Sequence, residues 1–186
     1  SVSFSNFGDL RMGSNGPEAY ERPDYVIYRQ GKGDTIVENS DPNVQAVSAY
    51  RQFNVMQKFR FKLNKKTELK YGLHYSTSSN TPRYDRLIVR ENDTLINGDW
   101  YYGPQQWFMN NLSITNTSKT TLSDRVQFTL ARQNFTESRN DRKYQSTSLR
   151  QREEKVAATC LNIDAQKKLT KRRVLNYGAE YIFNAL

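Results

Sequence analysis

The only histidine in the chain, His74, lies two residues from Ser76, and the pair is the first place to look for chemistry. An imidazole can take a proton from a hydroxyl or ligate a metal or haem iron. Hydrolysis also needs an acid to orient the imidazole, and none can be assigned from the sequence. A metal site needs more than one ligand, and no second ligand can be assigned either. His74 therefore reads as a residue on the wet side of a sheet, with ligand binding as the rarer alternative. The one cysteine, Cys160, can form neither an internal disulfide nor a metal cluster. Gly31-Lys32-Gly33 is too short for a phosphate-binding loop, and no helix follows it. The expectation is no catalytic residues, no metal and no cofactor.

A second group suits recognition rather than reaction. Arg83, Tyr84 and Arg86 stand at one end of a polar connection, and Trp100, Tyr101 and Tyr102 at the other. Rigid rings and guanidinium groups bury much area at low entropic cost, so an exposed cluster of them makes a binding surface. The competing reading is that they pack loop against loop. The basic residues Lys58, Arg60, Lys62 and Lys70 could attract an anion, or could pair with acidic groups nearby. Lys65, Lys66, Lys167, Lys168, Lys171, Arg172 and Arg173 read as solvated turn charge.

The elements that must position these groups are strands. Apolar residues recur with period two at Val47, Ala49, Phe53, Val55, Phe59, Phe61 and Leu63, with Lys58, Arg60 and Lys62 between them. The alternation returns at Leu69–Tyr75, at Phe108, Leu112 and Ile114, and at Val126–Leu130. It is less clean around Ala157–Ile163, then clear again at Leu175–Phe183. Val2 to Met12 reads as a further strand, so about seven strands are expected. Tyr25–Tyr28 and Thr35–Val37 read as a small hairpin within a loop. No segment has a convincing helical period; the best candidate, Ser148–Val156, is charged all round.

The connections sort by length. Those near residues 64–67, 118–121 and 166–171 are short, and those near 13–45, 80–105 and 138–150 are long and polar. Transmembrane barrels place short turns on one side of the membrane and long loops on the other. Composition agrees with a one-sided sheet: 36% hydrophobic residues, yet 12% aromatic, with twelve Tyr and nine Phe. The net charge of +9, from 28 basic and 19 acidic residues, would suit a nucleic-acid binder, but the cations are scattered along strands and turns, so no nucleic acid is expected. The alternative to a membrane sheet is a soluble or surface-exposed β-sheet protein that binds carbohydrate or polyanion. The two readings differ over Phe53, Phe59, Phe61, Leu73, Tyr177 and Phe183, which face lipid in one and a second sheet in the other.

Several stretches carry a family likeness: Phe4-Ser5-Asn6-Phe7-Gly8-Asp9-Leu10-Arg11-Met12-Gly13, Asp41-Pro42-Asn43-Val44-Gln45, Pro82-Arg83-Tyr84-Asp85-Arg86-Leu87, Trp100-Tyr101-Tyr102-Gly103-Pro104-Gln105 and Arg152-Glu153-Glu154-Lys155-Val156. Their order and spacing resemble the barrel region of TonB-dependent outer-membrane receptors, in particular the Bacteroidetes-type branch for haemoglobin, haem and iron complexes. The resemblance implies a bacterial outer-membrane location and a large barrel of about 22 strands with a plugged lumen. It also implies active uptake, in which loops and plug bind an extracellular ligand such as haem or a haemoprotein and TonB energises release. The sequence shows no plug domain, no TonB box and no haem-receptor loop motif, and it opens directly on a strand without a signal peptide. The expectation is thus all-β: an antiparallel meander of about seven long strands over residues 1–186, an open segment of a large transmembrane β-barrel. Its implied partners are membrane lipid, the plug and remaining strands of the same receptor, and TonB through the missing N-terminal part.

Overall fold

The structure, a computed structural model, describes residues 1–13 and 15–185. It is all-β, in chain order β1 Val2–Phe7, β2 Leu10–Arg11, β3 Asp24–Arg29, β4 Gly33–Glu38, β5 Val44–Gln45, β6 Tyr50–Lys62, β7 Thr67–Ser78, β8 Thr81–Pro82, α1 Tyr84–Leu87, β9 Arg90–Glu91, β10 Thr94–Leu95, β11 Asn97–Tyr102, β12 Gln106–Asn116, β13 Arg125–Lys143, β14 Arg150–Lys168 and β15 Val174–Ala185. One large antiparallel sheet holds the long strands in the order β1-β6-β7-β12-β13-β14-β15. Strands β8 and β11 continue β7 and β12. Thr77 opposes Gln106 in one pair and Pro82 opposes Tyr101 in the other, without loss of register. The interruption falls at Gly103-Pro104, where proline has no N–H to give the ladder. A side chain at Gly103 would run into the Asn80 side chain and backbone.

Chain direction reverses at each strand. The short turns 63–66, 117–124 and 169–173 therefore collect at one end of the sheet, and residues 8–13, 15–49, 79–105 and 144–149 at the other. The first turn shows why it is tight: Asn64 Oδ1 accepts from the backbone N–H groups of Lys66 (2.8 Å) and Thr67 (2.9 Å).

Several boundaries differ from the expectation. The strand expected over Val2–Met12 ends at Phe7. The chain turns at Gly8-Asp9 because Asp9 Oδ1 accepts from the amides of Ser48 (2.7 Å) and Ala49 (2.8 Å), and Leu10–Arg11 pairs instead with Val44–Gln45. The strand expected from Val47 starts at Tyr50, since Val47 itself takes a left-handed φ of 64°. The long connection expected at 138–150 is mostly strand: β13 and β14 pair up to Asp141 opposite Arg150, leaving residues 144–149 as the link. The polar Ser148–Val156 stretch joins this ladder. Tyr84 and Arg86 lie in a short helix, and Trp100–Tyr102 form a strand rather than a loop end.

Register aligns the side chains in levels across the sheet. One level carries Phe59, Tyr71, Leu112, Leu130, Leu161 and Tyr181, and the next Phe61, Leu69, Ile114, Phe128, Ile163 and Ala179. On the opposite face, Arg60, Lys70, Ser113, Thr129, Asn162 and Glu180 stand side by side. No second layer covers the apolar face among the described residues. Phe59 is 45% exposed, Phe61 51% and Tyr181 65%, whereas Ser113 on the polar face is 8% exposed. Among the described residues the only buried apolar side chains are Ala46, Leu87 and Leu95, which lie outside the long strands, and Ala165. The apolar face thus lacks the burial usual for a soluble sheet, while the polar face is itself largely open, with the Arg60 and Lys70 side chains 62% and 54% exposed. The main surface concavities open on the polar face, bordered by residues such as Arg60, Lys70, Asn111, Gln127 and Asp164. The polar face is therefore the concave one.

Candidate functional site

Two regions gather the residues singled out by sequence. The first is a crown of loops at the long-loop end. Arg83 leaves the end of β8 and lays its guanidinium over the rings of Trp100 (5.0 Å) and Tyr102 (5.5 Å). Its Nε and Nη2 donate to Asp85 at 2.7 and 2.6 Å, and its Nη1 donates to Tyr102 Oη at 2.7 Å. These bonds hold the Arg83 cation more firmly charged than usual and the Asp85 carboxyl below its ordinary range. Trp100 and Tyr102 meet edge to face at 5.3 Å. Tyr84 Oη donates to the carbonyl of Tyr20 at 2.5 Å, and burial raises its phenol pKa. Arg86 is largely exposed, 3.6 Å from Asp85. Tyr101 has its phenol pKa raised by burial.

The crown brings Arg83, Tyr84, Trp100 and Tyr102 together with residues that the sequence did not flag. Arg142, near the tip of β13, chelates Asp34 of the β3–β4 hairpin at 2.6 and 2.8 Å and donates from Nε to Asp99 at 2.6 Å. Asp34 also accepts the Gln145 amide at 2.7 Å, and its side chain is 0% exposed. The Arg142 hydrogen bonds hold the Asp34 carboxyl well below the usual range. Gly98 makes this possible: a Cβ there would sit 2.7 Å from Arg142 Nη2. A second cation, Arg22, is 3% exposed and packs against the rings of Tyr84 (5.4 Å) and Tyr25 (5.9 Å). Its Nε and Nη1 have no hydrogen-bond partner among the described residues, and burial lowers its pKa. Sequence separations of 108 between Asp34 and Arg142 left no local pattern by which to pair them.

The second region is the concave face. His74 is there, on β7, nine residues below Arg83, so about 30 Å away along the strand at roughly 3.3 Å per residue. It is not part of the crown. Its ring lies 5.8 Å from that of Trp107. Ser76 donates to Asn54 Oδ1 at 2.6 Å rather than to His74, so no nucleophile–base pair forms. His74 stands directly between Met56 on β6 and Met109 on β12. Lower on this face, Arg60 and Lys70 share Glu68, with Arg60 Nε at 2.7 Å and Lys70 Nζ at 3.1 Å. Lys58 and Lys62 have no acidic partner among the described residues. Lys167, expected as solvated turn charge, instead ties two neighbouring turns through Asp124 (3.1 Å) and the Thr120 carbonyl (2.6 Å). Among the described residues no group of three His, Cys, Asp or Glu side chains could hold a metal, and no helix is long and apolar enough to cross a membrane.

No protein-family model matches the chain, and comparisons with curated proteins and with solved structures find no match.

Proposed function

We propose that this chain is part of the wall of a transmembrane β-barrel in a bacterial outer-membrane uptake receptor of the TonB-dependent kind, and that it acts in transport rather than catalysis. The observation that carries the reading is the uncovered apolar face: levels of aromatic and aliphatic side chains exposed on the convex side, with polar and charged side chains lining the concave one. In hydrocarbon a sheet must pair its backbone and turn apolar groups outward, while its lumen can stay wet. From Val55 to Leu63 the apolar levels cover about 27 Å of strand at about 3.3 Å per residue. Tilted by about 40°, they stand roughly 20 Å high, near the apolar band of about 25 Å in such barrels. Two polar side chains within that band have partners across the strands: Tyr71 donates to Asn110, and Arg132 Nη1 donates to Thr159 Oγ1 at 2.8 Å.

Above this band β13 and β14 turn polar on both faces, from Thr136 and Lys155 upward, as strands leaving a membrane would. Both outer strands, β1 and β15, have one unpaired edge, a template for further pairing. The remaining strands and a plug of the same receptor would close the sheet and fill its concave side, with TonB acting through that plug. The crown is then the outward end, and an extracellular ligand such as haem, a haemoprotein or another iron complex would meet it. Arg83, Tyr84 and Tyr102 spend their polar groups within the crown, on Asp85, on the Tyr20 carbonyl and on the Arg83–Tyr102 bond, and Trp100 packs under Arg83, so the four shape the rim while Arg86 and Tyr101 remain for contact. The carbohydrate- or polyanion-binding alternative draws on Lys58 and Lys62, but leaves the exposed aromatic levels without a role.

The test places a single tryptophan at Phe128 or at Thr129 in a chain whose Trp100 and Trp107 are phenylalanine, folded in vesicles of acyl-brominated lipid. Strong quenching at 128 and weak quenching at 129 is expected. Equal quenching, or a monodisperse monomer without detergent, overturns the membrane reading. For the transport reading, deletion of the encoding gene should abolish growth on haem or a chelated iron source as sole iron.

A further inference from the structure

We propose that Met56, His74 and Met109 form a binding site for a soft monovalent metal ion, Cu(I) or Ag(I), capped by the indole of Trp107. Strand register puts the three ligands side by side on the concave face of three adjacent strands, with His74 in the middle opposite Met56 on one side and Met109 on the other. Directly opposed residues have Cβ atoms about 4.5–5.5 Å apart. Two flexible thioether arms can therefore fold over the imidazole between them. The chain has one His and three Met, so two of its three methionines flank its single imidazole.

The donor set selects the ion. One nitrogen and two thioether sulfurs, all neutral, suit a polarisable ion of low charge. Calcium and magnesium need several oxygens, and this level of the face offers no carboxylate: the next residues along it are Gln133, Ala158 and Asn184. The neighbouring cation Lys58 opposes a divalent ion further. Trp107 adds a π face for a monovalent cation. Its ring is 5.8 Å from that of His74, inclined at 45°, and its Nε1–H donates to Gln133 at 3.2 Å, which fixes it. A concavity of about 540 Å³ reaches His74 and Met109 from the open side. The inference rests on the β6-β7-β12 register and holds whether the opposite face meets lipid or water.

The experiment uses the full chain in detergent micelles with Cys160→Ser, because the thiol lies on the same face and would itself bind Cu(I). Silver nitrate, and Cu(I) kept reduced under nitrogen in competition with a chromophoric chelator, are titrated while indole emission is followed. One ion per chain is expected, with quenched and shifted emission. Zn(II) should not compete. Met56→Leu and Met109→Leu, close in volume, should each weaken binding by at least the factor of about 100 that even a supporting outer partner can be worth. His74→Gln removes the nitrogen and should act likewise. Met12→Leu should change nothing, and Trp107→Phe should keep the stoichiometry and lose most of the emission change. Circular dichroism checks the strand content of each variant. Unchanged affinity in the double Met56→Leu/Met109→Leu variant, or no one-to-one binding by a chain that retains its strands, overturns the site.

Discussion

Below the level of Thr136 the sheet leaves aromatic rings exposed with no layer over them; above it, the crown buries apolar and polar side chains alike, Ser48, Asn97, Ser138, Asn140 and Asp141 among the polar ones. There the apolar side chains Leu87 and Leu95 are buried, and charges are locked in pairs such as Arg142 with Asp34. The wall holds together through ladders and through its levels of directly opposed side chains. The crown depends on a few well-aligned polar contacts between segments far apart in sequence. The difference teaches where each half leaves its apolar surface: the wall has no second layer over its apolar face, which the proposed membrane location would cover, whereas the crown carries its own small core.

The comparison can be broken most sharply at Asp34. Asp34→Asn takes away the carboxylate that accepts two of Arg142's hydrogen bonds and leaves Asp99 as its one charged partner among the described residues, which should cost about 3 kcal/mol at roughly 1.5 kcal/mol or more per charge-assisted bond. Amide exchange across Asp24–Glu38 should speed up while that of β13 near Leu130 stays slow; loosening of both would mean that wall and crown are one cooperative unit. Next comes the wall itself. Leu130→Arg should destabilise the chain in bilayers by about 2–4 kcal/mol, as a cation on a lipid face near mid-membrane does. Thr129→Arg, on the concave face, should cost far less. Equal losses, read from folding yields in urea, would remove the distinction between the faces.

Acid should separate the halves as well. The Asp34 carboxyl is held below its ordinary range by Arg142, so the unfolded chain takes up its proton first. The stability from this pair is present above the ordinary aspartate value of about 3.9 and is lost as pH falls through the lower folded value. Crown exchange should therefore be steady from neutrality down to about pH 4 and accelerate below that, without a matching change in the wall. The smallest effect is expected where an ion pair is exposed. Lys155 and Glu153, 2.7 Å apart and both half exposed, should give a coupling under about 1 kcal/mol in a double-mutant cycle.

Much of the wall was legible in the sequence, since period two fixes which residues share a face, and tight turns fix register. Asn64 closes the β6–β7 hairpin, and from it the pairing of Met56 with His74 could have been counted. The pairing of His74 with Met109 could not, because the connection from β7 to β12 carries β8 to β11 and α1. The crown residues Arg83, Trp100 and Tyr102 were legible as a set with Tyr84, but not as partners of one another. Polar stretches misled in one direction. Residues 138–150 read as loop because they lack apolar alternation, yet they extend β13 and β14, where both faces are wet and neither needs an apolar side chain.

The amino-acid sequence alone determined the strands, their two unlike faces and the ends at which short and long connections gather, because these follow from side-chain periodicity and local turn chemistry. Only the tertiary structure decided that the polar face is the concave one, that Arg142 reaches across the chain to Asp34, and that two thioethers flank the imidazole. Each of these depends on curvature or on register across long connections, and neighbouring residues carry no record of either.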